Sequence, residues 1–158
     1  MGLDMYLSKR TYVKNWDHLA PEERHTVTVS GPEAVHIKSE RVSHVEEQVA
    51  YWRKANAIHK WFVDVCQDGI DDCRLAHVNA QNLTVLRDLC ASLVAQHDTN
   101  PEEADSRAAA ELPPCAGFFF GDTGIDEYYW ADVRETADVL TELLNEPGDH
   151  SYIYQSSW

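Results

Sequence analysis

Ser43-His44-Val45-Glu46-Glu47-Gln48-Val49-Ala50-Tyr51-Trp52-Arg53-Lys54-Ala55-Asn56-Ala57-Ile58-His59-Lys60-Trp61-Phe62-Val63-Asp64-Val65-Cys66 is the stretch on which the reading of this chain turns. Ser43 followed by Glu46 has the form of a capping box, and Gly69 stands just past the last apolar turn. At about 100° per residue, Val49, Trp52, Ala55, Ile58, Phe62, Val63 and Cys66 fall on one broad face. The stretch therefore predicts one long helix from Ser43. His59 lies in the middle of its apolar face and Asn56 on the edge, with Arg53 and Lys60 on the polar flank. A buried polar group without a partner costs about 1–3 kcal/mol, so both His59 and Asn56 require one. Trp61 projects to the polar side and needs cover.

Working outward, residues 1–8 alternate, with Met1, Leu3, Met5 and Leu7 on one side and Asp4, Tyr6 and Ser8 on the other, which predicts a half-buried strand. Residues 17–24 read as a loop or a single helical turn. Residues 25–30 and 34–39, separated by Gly31-Pro32, predict a hairpin. A short strand is expected around 75–78, and Asn79 can cap a second helix with an apolar stripe of Leu83, Leu86, Leu89, Cys90, Leu93 and Val94. Residues 97–114, acidic and rich in Ala and Pro, predict a mobile loop. Residues 115–120 suit a buried strand. A third helix is expected from Asp126 to Asn145, with Val133, Ala137, Leu140 and Leu144 inward, and the tail from Ser151 forms a last strand. The order implies a single α+β domain: a mainly antiparallel sheet packed against three helices.

Composition bounds the function. The chain has 158 residues, enough for a core without covalent staples. Lys and Arg number 13 against 27 Asp and Glu, giving a net charge of −14. That field repels nucleic-acid backbone and anionic membrane; it reads as a solvated surface or as an acidic decoy that occupies a nucleic-acid-binding protein, and it leaves room for a local basic pocket that binds a small anion. No run of about 20 apolar residues is present. Asp4 interrupts the opening where a secretory signal needs an apolar run, so the expected setting is cytoplasmic. Cys66, Cys73, Cys90 and Cys115 are then expected as free thiols.

No reaction-specific motif emerges. The turn Asp68-Gly69-Ile70-Asp71-Asp72 lacks the ligand alternation and terminal Glu of a calcium loop. Zinc spacing is absent, and no metal or cofactor is expected. Cys66 lies two turns from His59, about 10 Å along a helix axis, too far for activation. No catalytic residue is assigned. Arg53, Asn56 and Lys60, at i, i+3 and i+7, have the chemistry of an anion site. His59 adds a polar edge, and Trp52, Trp61 or Tyr128 can stack on a base. The alternative is that His59 and Asn56 are satisfied core groups. Phe118-Phe119-Phe120 and Tyr128-Tyr129-Trp130 suit a core, a ligand-stacking surface or a homo-oligomer interface.

The opening Met-Gly-Leu-Asp-Met-Tyr-Leu at 1–7, the block 50–63, Gln67-Asp68-Gly69 with Cys73, Gly117-Phe118-Phe119-Phe120-Gly121 and the ending Tyr154-Gln155-Ser156-Ser157-Trp158 resemble a family of small proteins encoded by phages and prophages. The resemblance covers both ends and the centre. It implies an accessory role in an infected host cell, countering host defence, and supplies no reaction. Three functions follow as expectations. The first is binding and sequestration of a small anionic ligand of the nucleotide type; the second is an acidic inhibitor that binds a host defence protein; the third is a small nucleotide-processing enzyme.

Overall fold

The computed structural model describes residues 2–158. Its sheet is built around β1 (Asp4–Tyr12), whose alternation places Leu3, Met5 and Leu7 fully in the core. β1 pairs antiparallel with β2 (His44–Arg53) on one side and with β4 (Ser151–Ser157) on the other. A short β3 (Ala76–Val78) closes the far edge against β4, giving the order β2-β1-β4-β3 with every pair antiparallel. Four helices complete the α+β fold: α1 (Asn56–Cys66), α2 (Ala80–His97), α3 (Pro101–Glu111) and α4 (Glu127–Leu144). One apolar cluster joins Leu3, Met5, Leu7, Ala50, Trp52 and Tyr154 of the sheet to Phe62, Leu86, Val133 and Leu140 of the helices.

The helix expected from Ser43 is instead a strand followed by a shorter helix. Residues 44–53 extend along β1, and the register skips Val49 at a bulge between Leu7 and Ser8. Beyond it Ala50 and Trp52 point into the core while Tyr51 and Arg53 point out, a period of two that a helical count at i and i+3 also happens to fit. Ser43 caps nothing, and Glu46 pairs with Arg10 across the strands at 2.7 Å. Pairing with β1 outweighs the weak strand propensity of Glu46, Glu47, Gln48 and Ala50.

Three further expectations are corrected. The hairpin over 25–39 is absent; that region is irregular, with 3-10 turns at Pro21–Glu23, Ala34–His36 and Ser39–Arg41. Residues 115–120 are a turn rather than a strand, and Phe118 lies 92% exposed. The acidic segment 97–114 contains α3, making four helices where three were expected. Asn100 caps α3, Pro101 opens it and Glu102 and Glu103 face its positive end, so each signal for a helix start is present. Ala104 and Ala108 are fully buried, and Arg107 donates to Ser92 Oγ at 2.8 Å on α2. Small residues are what allow α3 to approach α2 closely. Ala108→Leu should therefore overpack the contact and cost about 1–3 kcal/mol in urea unfolding; an unchanged midpoint would mean that α3 is not docked.

Candidate functional site

The junction between β2 and α1 shapes the most enclosed cavity among the described residues. After Arg53 the chain turns through Lys54 at φ +62°, a left-handed conformation uncommon for a residue with a side chain. The Lys54 N–H donates to Leu3 C=O at 2.8 Å, and Lys54 C=O accepts from the Asn56 N–H at 2.8 Å. Ala55 then precedes α1 without any side-chain cap. The first helical bond runs from the His59 N–H to Ala55 C=O at 2.9 Å, which leaves the amides of Ala57 and Ile58 without a helical acceptor. Ala57 and Ile58 line a cavity of about 410 Å³, with Arg53 and Lys54 beside them.

Asn56 fixes the floor. Its side-chain amide donates to Phe120 C=O at 3.0 Å and Asp122 C=O at 2.7 Å, and its oxygen accepts from the Cys115 N–H at 3.2 Å. Two glycines in the segment so held have defined roles. A Cβ at Gly117 would sit 2.4 Å from the Phe120 ring, and Gly121, at φ +86°, lies under the Lys54 stem.

The opposite wall is the first turns of α4. Asp126 caps that helix, accepting from the Tyr128 and Tyr129 amides at 3.0 Å each. Tyr128 stands 72% exposed beside the cavity, whereas the Tyr129 hydroxyl donates to Leu112 C=O at 3.0 Å. Asp122 accepts from the Gly124 N–H at 3.0 Å. Asp132, half-buried one turn beyond Tyr128, has no hydrogen-bond or ion-pair partner for its carboxylate among the described residues. Burial first, then the charges of Glu135 and Asp126, push its pKa up to about 6.

Of the seven residues singled out by sequence, Arg53, Asn56 and Tyr128 border this cavity, Asn56 as a satisfied anchor. The line of Arg53, Asn56 and Lys60 on one helix is corrected, because Arg53 belongs to β2. Lys60 pairs with Asp64 at 2.6 Å, and Trp61 packs edge-on against Phe62. Trp52 is core, its indole N–H buried without a partner. His59 is 1% exposed, with Nδ1 2.7 Å from the Tyr154 hydroxyl and Nε2 2.9 Å from Asp71. Asp71 also accepts from the Trp158 indole at 3.0 Å, so His59 ties α1, the loop after it and the tail together. Sequence reading missed Lys54, which no turn residue marks, and Asp132, which follows Tyr128 at i+4 on the same helix face.

Among the described residues no group of three or more His, Cys, Asp or Glu side chains is placed to hold a metal. No described helix is long and apolar enough to cross a membrane. Comparison with protein-family models, curated proteins and solved structures finds no match.

Two outcomes test this description. His59→Leu leaves the buried Tyr154 hydroxyl without its partner and removes one of the two groups bonded to Asp71, and should lower unfolding stability by about 2 kcal/mol; a variant with unchanged stability would contradict the network. Asp132 has a raised folded-state pKa, so its contribution is favourable when protonated and is lost as pH rises from 3.8 through about 6. Asp132→Asn should stabilise the fold at pH 8 by about 1–2 kcal/mol, discounted for partial solvent screening. The gain should fade below pH 4, and melting curves with no pH-dependent difference would rule out a desolvated carboxylate.

Proposed function

We propose that this chain is a phage accessory protein that binds a small anionic ligand of the nucleotide type in the cavity between the β2–α1 junction and α4, and sequesters it without turnover. The observation that carries the proposal is the uncapped amino end of α1 facing that cavity with Arg53 and Lys54 beside it. Unpaired amides at a helix start, together with the positive end of its dipole, favour an anion. Arg53 is exposed and only loosely paired, 3.9 Å from Asp4, and Lys54 has no ion-pair partner among the described residues. The left-handed backbone at Lys54 fits this reading, since strained residues concentrate where function demands them.

A volume near 410 Å³ falls within the usual range for small-molecule sites. Tyr128 supplies an exposed ring on which a base can stack. The accessory setting rests on the resemblance of the terminal and central motifs to small phage and prophage proteins. Sequestration fits that setting, as removing a host signal requires affinity alone.

The test is thermal denaturation with a panel of mono- and dinucleotides. A ligand at a hundredfold excess over its Kd should stabilise the fold by about 2.7 kcal/mol and scale with concentration. Lys54→Gly is the discriminating variant: glycine accepts the left-handed backbone, so the fold should persist while the ligand shift falls at least severalfold. Intact nucleotide recovered by mass analysis supports sequestration, whereas a converted product would make the protein an enzyme. A null panel would defeat the proposal and leave the acidic surface, as an inhibitor of a host protein, the better assignment.

A further inference from the structure

We infer that Asp132 is the base-reading group of this cavity, and that the preferred ligand presents two adjacent N–H donors on one planar edge, as guanine does. The inference rests on the nucleotide-binding reading above and names the base.

Three carboxylates border the cavity, and two are already engaged. Asp122 accepts from the Gly124 N–H, and Asp126 accepts from two amides at the start of α4. Asp132 alone is left without a donor, although it is half-buried. A partly dehydrated carboxylate with no protein donor is best matched by a group that donates to both of its oxygens. Its position decides where that group lies. Tyr128 and Asp132 are four residues apart on α4, about 6 Å between their Cβ atoms, so a ring stacked on Tyr128 brings one edge to the carboxylate.

The donor inventory of the bases then selects among them. An ionised carboxylate only accepts. Guanine offers its ring N–H and exocyclic amine side by side, matching the two oxygens. Adenine and cytosine each set an amine beside a ring nitrogen that accepts, and uracil flanks its ring N–H with carbonyls. Those three turn at least one lone pair toward Asp132, which is unfavourable in a partly dehydrated site. Burial holds the Asp132 pKa near 6, so at neutral pH the acceptor form prevails. The phosphate meanwhile has its own partners at the far wall, in Arg53, Lys54 and the Ala57 and Ile58 amides.

Titration calorimetry at neutral pH with guanosine, inosine and adenosine monophosphates tests the inference on the unaltered protein. Inosine keeps the ring N–H and lacks the amine. Guanosine monophosphate should bind about tenfold tighter than inosine monophosphate, and adenosine monophosphate more weakly than either. Asp132→Asn, which replaces one acceptor with a donor, should abolish the preference for guanosine over inosine while leaving the fold intact. Equal affinity of the unaltered protein for guanosine and inosine monophosphates overturns the base assignment and leaves nucleotide binding standing. Binding of none of the three overturns both.

Discussion

The side-chain amide of Asn56 is the joint on which the arrangement depends. It is buried at the first turn of α1, where a polar group is expensive unless all its valences are used. Here both amide hydrogens and the oxygen are used, and the Asn56 carbonyl also accepts from the Cys115 thiol at 3.3 Å. The partners lie some 60 residues away along the chain, so the amide does for an irregular segment what a ladder does for a strand. It holds residues 115–122 against α1, seats Phe120 edge-on to His59 with ring centres 5.1 Å apart, and delivers the chain to the start of α4.

How much of this the sequence reveals depends on punctuation. β1, α2 and α4 are legible because a single period runs the length of each, and capping residues mark the helix starts, as Asn79 does for α2; β4 alternates only weakly, with Tyr152, Ile153 and Tyr154 all buried. The β2–α1 region is not, since the chain passes from strand to helix with no Gly or Pro. Lys54 makes the turn in a conformation that glycine usually supplies. With no break to see, Val49, Trp52, Ala55 and Ile58 extend a helical count backwards through what is really an alternating strand. α3 fails for the opposite reason. Its start signals at Asn100 and Pro101 are plain, but its buried face is Ala104 and Ala108, too small to register as an apolar stripe.

The site is legible only in its parts. His59 and Asn56 stand out because each is polar on an apolar face, and both prove to be anchors satisfied from distant segments. Their conspicuousness reports architecture, and the neighbouring Lys60 and Trp61 turn away from the cavity. Lys54 and Asp132 are inconspicuous because each sits among other charged residues. What distinguishes them is a missing partner, a property of three dimensions that no spacing encodes.

The overall charge and the proposed anion site are reconciled by range. At about 0.1 M salt the field of exposed charges fades over about 10 Å, so the net −14 acts on approach more than on the bound state. Inside, the two walls oppose each other: Arg53, Lys54 and the α1 amides attract negative charge, while Asp132 repels it. A bare phosphate gains the first wall and is disfavoured by the second. A ligand with an anion at one end and N–H donors at the other matches both, meeting exposed Arg53 and Lys54 on one wall and half-buried Asp132 on the other. On the proposed reading, the divided cavity favours a larger, asymmetric ligand over a small anion, the discrimination that sequestration would require.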